Sequence, residues 1–156
     1  MTGSAYSASD MLFMSQAISL ANDAALAGEV PVGAVIVKQG VIIGRGFNQP
    51  IKTNDSSAHA EIVAIRDACQ RLRNYRLSGC DMYVSLEPCM MCVGALIHAR
   101  IDRLIYAASE PRAGAIHSQM RLAESDFINH KISCQGGLMR EQSAQLLKDF
   151  FGSRRS

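Results

Sequence analysis

Two short segments far apart in the chain, His59-Ala60-Glu61 and Pro88-Cys89-Met90-Met91-Cys92, restrict the fold more than any other feature, because their side chains share a use that requires them to meet. One imidazole and two thiolates are a known catalytic zinc set, in which three protein ligands leave the fourth tetrahedral position open. Cys89 and Cys92 lie three apart, which on a helix puts both sulfurs on one face, and Pro88 is well placed to start that helix. The partial positive charge of a helix N-terminus also favours the thiolate form that zinc requires. The two-residue step from His59 to Glu61 would point these side chains to opposite sides of a mid-helix, so His59 is expected at the very start of a helix, from which both reach one pocket. Glu61 then fits a proton carrier that serves water at the metal, not a ligand. A lone Cys-x-x-Cys also serves as a redox pair, a structural zinc knuckle or core packing. Joined to the upstream His-Ala-Glu and the preceding Pro, it favours one catalytic Zn2+ per chain, held by His59, Cys89 and Cys92.

Periodicity supplies elements to carry these segments. Met11–Ala27 has a helical period with Gly28 as its stop. Ala34–Lys38 and Val41–Gly46 are β-branched runs joined by Gln39-Gly40, the pattern of a hairpin. Ala60–Leu72 predicts a second helix, Asp81–Ser85 a strand, Cys89–Ala99 a third helix and Arg103–Ala107 another strand. Lys131–Cys134 is a further short strand, and Leu138–Phe151 is a closing helix set apart by Gly136-Gly137. Strands interspersed with helices favour an α/β layer architecture, with helices covering a sheet.

At 156 residues the chain is expected to be a single domain over 1–156, with residues 1–10 a loose lead-in. Apolar residues at 48% and charged residues at 19% exclude a disordered or fibrous chain. The cysteines number five, an odd and unevenly spaced set in a chain too large to need a disulfide framework, so free thiols or metal ligands are expected. No apolar run reaches the roughly 18 residues that span a bilayer, and the start lacks a secretory pattern, which gives a cytoplasmic expectation and no membrane partner. The net charge of +2 leaves the partner unspecified.

At its zinc-type motif the sequence resembles the cytidine and deoxycytidylate deaminase superfamily, whose signature is H-x-E with P-C-x-x-C. The resemblance runs on through Gly28-Glu29-Val30-Pro31-Val32-Gly33-Ala34, Tyr83-Val84-Ser85-Leu86-Glu87-Pro88-Cys89, Ala99-Arg100-Ile101, Ala113-Gly114-Ala115 and Leu146-Leu147-Lys148-Asp149-Phe150-Phe151. Together these are similar to the bacterial tRNA-specific adenosine deaminases over nearly the whole chain. The resemblance implies a three-layer α/β/α cytidine-deaminase-like fold with a central five-stranded mixed sheet. It also implies a homodimer, a tRNA anticodon loop as partner, and zinc-dependent hydrolysis of adenosine to inosine at the wobble position, with Glu61 protonating the departing amine. Asn48 matches the family's base-contacting asparagine, and Glu110 and Arg112 fall where RNA contacts are expected.

An anticodon loop presents unpaired bases, so no duplex needs to be melted. Arg100, Arg112, Lys148, Arg154 and Arg155 are candidates for phosphate contacts, each weighed against ordinary surface charge. Phe150 and Phe151 are candidates for stacking, with core packing the expectation for at least one of them. Cys69 is expected in packing, and His98 and His130 as hydrogen-bonded or surface histidines. The chain departs from the family pattern at Met90, where Pro is common, at Glu110, where Asp is usual, and at His117, where Gly is usual. The first keeps the ligand spacing, while the other two bear on RNA contacts and loop shape. Two other readings use the same residues: a superfamily deaminase of free guanine, cytosine or a nucleotide, and a non-catalytic zinc and RNA-binding scaffold subunit. Glu61 separates the second from an enzyme, since a scaffold has no need of a proton carrier.

Overall fold

In the computed structural model, which describes residues 6–154, alternation along the central strands sets the layers. In β1 (Gly33–Lys38), Ala34 and Ile36 enter one apolar cluster while Val35 and Val37 enter another. β3 (Cys80–Leu86) and β4 (Arg103–Ala108) divide in the same way, with Met82, Val84, Leu104 and Tyr106 on the first face and Tyr83, Ile105 and Ala107 on the second. A sheet apolar on both faces must be covered on both. The first face packs on α3 (Ala60–Leu72) and α4 (Met90–Ala99), and the second on α1 (Ala8–Leu26) and the start of α5 (Arg140–Ser153).

Among the described residues the sheet has five strands in the order β2-β1-β3-β4-β5, where β2 is Val41–Phe47 and β5 is Ser133–Gly136. β2, β1 and β3 pair antiparallel, whereas β3, β4 and β5 pair parallel, so the sheet is mixed and the three-layer α/β/α expectation holds. The hairpin turns at Gln39 (φ 50°) and Gly40 (φ 78°), both left-handed, which is the turn whose twist matches paired strands. Among the described residues no helix is long and apolar enough to cross a membrane.

Several elements depart from the sequence expectation, α5 among them, at Arg140–Ser153 instead of Leu138–Phe151. α1 begins at Ala8 rather than Met11, because Ser7 and Asp10 form a reciprocal cap: the Asp10 N–H donates to Ser7 Oγ and the Ser7 N–H to Asp10 Oδ2, each at 3.0 Å. Part of the expected lead-in is therefore helix, and residues 1–5 lie outside the described residues. β5 lies two residues later than Lys131–Cys134 and includes Gly136, where a Cβ would collide with the Tyr106 ring. The turn of helix α2 (Pro50–Thr53) was not anticipated.

Asp10 is also the centre of a buried polar network on the second face. Its carboxylate accepts from the Tyr83 hydroxyl at 2.6 Å and from Arg103 Nη1 and Nη2 at 3.0 and 3.1 Å. Burial opposes the charge, but the Arg103 and Tyr83 hydrogen bonds outweigh it and hold the Asp10 pKa down to about 2. A depressed folded-state pKa contributes stability above the unfolded value, lost as pH falls through the folded one. Asp10→Asn is therefore expected to cost about 2 kcal/mol near neutrality and to flatten the loss of stability between about pH 4 and pH 2, as read in urea titrations across that range.

Candidate active site

Two helix starts build the centre of the site. His59 is the N-cap of α3 with extended backbone (φ −71°, ψ 154°), and Cys89 is the N-cap of α4 (φ −78°, ψ 174°). The cap position frees each side chain from the helical spiral, so His59 and Glu61, two apart, line one cavity. Pro88 consequently precedes the cap of α4 instead of occupying its first turn. α3 comes close to the sheet because β2 has glycine where it passes underneath: a Cβ on Gly44 would lie 2.6 Å from the Ala64 carbonyl oxygen, and one on Gly46 2.6 Å from the Ala64 nitrogen. These absent side chains let the start of α3 settle against the end of β2.

The ligand atoms of His59, Cys89 and Cys92 lie within 4.8 Å of one another, with His59 Nδ1 at 3.7 Å from Cys89 Sγ and 3.5 Å from Cys92 Sγ. Three donors of imidazole and thiol type at such separations fit one zinc ion and leave a coordination position open. No carboxylate belongs to this set, and neither do His98, His117 or Cys134. The Cys92 thiol bonded to Cys89, together with the His59 ring, brings the Cys89 pKa down to about 4 against the effect of burial. The same bond and burial push Cys92 up, and the neighbouring thiolate raises His59. Binding of a divalent cation by these three side chains would require the Cys92 and His59 protons to leave. Glu61 is 4% exposed, and burial raises its pKa to about 7.

A cavity of about 180 Å³ opens over this cluster, lined by His59, Glu61, Cys89, Asn48 and Glu110 among others. Asn48 follows β2, and its Oδ1 accepts the Ala60 N–H at 2.7 Å, pinning it to the start of α3. The Glu110 carboxylate turns back to accept the Arg112 N–H at 2.8 Å, and Arg112 lines an adjoining cavity with His59, Cys89, Met90 and Met120. A groove of about 340 Å³ shares Val30 and Asn48 with the central cavity and runs out to Phe150, Phe151 and Arg154. Arg154 donates to the Gly28 carbonyl at 2.7 Å and its guanidinium lies 4.4 Å from the centre of the Phe150 ring. Phe150 is half-buried and Phe151 exposed.

The remaining sequence candidates fall elsewhere. Arg100 lines a separate cavity of about 460 Å³ with Tyr75, Arg76 and His98, which contains none of the metal-cluster residues. Lys148 is exposed on α5, and Arg155 lies outside the described residues. Cys69 packs against the core, and His130 bonds the Ile101 carbonyl at 2.7 Å. Met90 is exposed at the first turn of α4, a position that does not require proline. His117 is not in the left-handed region that would call for glycine, and its ring turns inward to the Tyr106 hydroxyl at 2.8 Å.

Two residues of the site were missed in the sequence, Glu29 and Glu87, each 2% exposed. Glu29 accepts the N–H groups of Ile51 and Lys52 at 3.2 and 2.8 Å and so anchors α2 beside Asn48. Glu87 accepts the N–H groups of Glu110 and of Ile116, His117 and Ser118, and these bonds with the Ser118 hydroxyl outweigh burial to lower its pKa. Their one signal in sequence is an isolated acid inside an apolar stretch.

Residues 7–108 match the family model of the cytidine and deoxycytidylate deaminase zinc-binding region. A tRNA-specific adenosine deaminase of Haemophilus influenzae is 43% identical over 147 residues, which cover 94% of this chain and 85% of that protein. A solved structure from studies of A-to-I editing by tRNA deaminases at the wobble position of transfer RNA superposes with a TM-score of 0.85 at 43% identity, covering 87% of this chain and 99% of that one. The guanine deaminase of Bacillus subtilis is 47% identical with a TM-score of 0.61, over 63% of each chain. With a His, Cys, Cys cluster at the meeting of two helix starts and these likenesses across its length, the chain belongs to the zinc-binding cytidine and deoxycytidylate deaminase family, within its group of tRNA-specific adenosine deaminases.

Proposed function

We propose that this chain acts as one deaminase domain that hydrolyses adenosine to inosine at the wobble position of a tRNA anticodon. The observation that carries the reading is the continuity of two cavities. The inner one, of about 180 Å³, holds Glu61 over the metal cluster, and the outer groove meets it at Val30 and Asn48. The inner cavity is well below the roughly 300–1,000 Å³ of drug-sized ligand pockets, which suits a single base better than a whole nucleotide. The groove then accommodates what remains attached to that base, with Phe151 available for stacking and Arg154 for phosphate. A free-base deaminase has no use for such an extension, and identity to the Haemophilus influenzae tRNA enzyme holds at 43% over 94% of the chain.

The chemistry follows from residue types. With Oδ1 bound to Ala60, Asn48 has its amide NH2 left to donate to a base, which fixes the ring orientation. Zinc held by His59, Cys89 and Cys92 would supply a Lewis acid that makes water nucleophilic near neutral pH. Glu61 takes the proton released as the water oxygen bonds to C6, and delivers it to the amino nitrogen as the C6–N bond breaks. Ammonia leaves, and the carboxylate is restored. Exclusion of bulk water follows from the burial of Glu61.

We further infer a homodimer and a cytoplasmic location. Exposed Met90, Met91 and Met120 gather around His59 and Cys89, an apolar surface of the kind a second copy covers. Purified zinc-loaded protein is expected to convert adenosine to inosine in an anticodon stem-loop, read by sequencing as guanosine, and to leave free guanine unchanged. Turnover of guanine without inosine in RNA would overturn the assignment.

A further inference from the structure

The Glu87 carboxylate ties the segment that leads into the metal-ligand helix to the loop that carries Glu110 and Ala113. It directly follows β3, two residues before Cys89, and its N–H donates to the Ala108 carbonyl at 2.8 Å. The side chain faces the chain that follows β4. Oε1 accepts the Glu110 N–H at 3.0 Å, and Oε2 accepts the N–H groups of Ile116, His117 and Ser118 at 3.1, 2.8 and 2.9 Å. The Ser118 hydroxyl donates to Oε1 as well. The loop is wrapped so closely around this group that a Cβ on Gly114 would overlap the Glu87 carboxyl and lie 2.6 Å from the Glu110 carbonyl oxygen. The Ala115 N–H donates to the Pro88 carbonyl at 2.8 Å, tying the same loop to the residue next to Cys89.

Glu110 and Ala113, carried by this loop, line the cavity together with His59 and Glu61. The loop has little regular structure to hold them: between Ala108 and Ser133 the chain forms one short 3-10 turn, Leu122–Glu124. Backbone N–H groups converging on one buried acceptor therefore do what a ladder does elsewhere, and an acceptor-only group with several lone pairs is the side chain able to take them all.

We propose that Glu87 is a positioning residue, a buried carboxylate around which the segment 110–118 folds to set the substrate-facing wall of the site. It acts through Glu110 and Ala113 and not on the reacting atoms. The wall's distance from Glu61 and from the metal cluster is fixed because one residue joins the end of β3 to the loop. The proposal rests on the adenosine deaminase reading only for the identity of what the wall faces.

The test uses the zinc-loaded full chain and two perturbations from opposite sides, Glu87→Gln, which replaces an acceptor oxygen by a donor NH2, and Gly114→Ala, which keeps the carboxylate but pushes the loop off it. Both are expected to retain one zinc per chain and to accelerate amide exchange across 110–118 by about tenfold or more, while exchange in α1 and β1 is unchanged. On an anticodon stem-loop, KM is expected to rise about tenfold with kcat within about threefold of wild type, because the wall binds and does not react. Should Glu87→Gln fail to fold, Gly114→Ala alone carries the test. Wild-type exchange and wild-type KM in a folded variant would overturn the proposal, as would exchange raised uniformly over the whole chain. An inactive wild-type protein would remove the assigned substrate, yet the exchange comparison would still decide the role of Glu87.

Discussion

Exchanging Glu61 for glutamine is expected to leave one zinc per chain and to lower deamination by about 10²- to 10⁴-fold, the range that a positioned proton carrier contributes. The expectation follows from two features of its place. The carboxylate lines the cavity with His59 and Cys89, yet it lies outside the set of ligand atoms gathered within 4.8 Å. It is also 4% exposed, so bulk water is poorly placed to substitute for it. Glutamine keeps the volume and a hydrogen-bonding oxygen but cannot accept a proton and return it, so binding and metal content survive while turnover falls. Metal analysis alongside single-turnover rates separates the alternatives: zinc lost together with activity would make Glu61 a ligand, and full zinc with a near wild-type rate would leave it without a chemical role.

The centre of this site was legible because its chemistry is local in sequence. His59 and Glu61 are two apart, Cys89 and Cys92 three apart, and each pair opens a helix whose apolar period is plain from Ile62 to Leu72 and from Val93 to Ala99. A spacing that is awkward within a helix itself indicates a cap, as His59 proves to be, whereas Cys89, expected inside its helix, turns out to be a cap as well. The supporting carboxylates were not legible, because their function is defined by partners distant in the chain: Glu29 serves N–H groups 22 and 23 residues away, and Glu87 serves others 23 to 31 away. An isolated acid in an apolar stretch is all that either neighbourhood offers, and it names no partner. The displacement of β5 has the same origin. Gly136-Gly137 reads as punctuation, yet Gly136 belongs to the strand because the Tyr106 ring occupies the space a side chain would need. The cap of α1 went unread in Ser7 and Asp10, and Asp10 is further held by Arg103 and Tyr83, which are far along the chain.

Cys89→Ala is expected to remove both the metal and the activity, and to destabilise the fold by about 3–4 kcal/mol when free zinc stands at roughly 100 to 1,000 times the Kd of the wild-type site. A ligand that binds the native state and not the unfolded one contributes stability by mass action, and a three-donor site reduced to two has lost its hold on the ion. The loss reaches beyond the ion because of where Cys89 sits. As the cap of α4 it joins the end of β3 to a helix whose Cys92, Val93 and Leu96 are fully buried. His59 in turn caps α3, so one ion would clamp two helix starts that share a face of the sheet. Chelation provides the control. Wild-type protein stripped of zinc should melt close to the variant, and the variant should be indifferent to chelator, so the two losses coincide instead of adding. Stoichiometric zinc in Cys89→Ala would remove this sulfur from the metal site. A melting point that chelator lowers equally in both proteins would place the stabilising ion elsewhere in the chain.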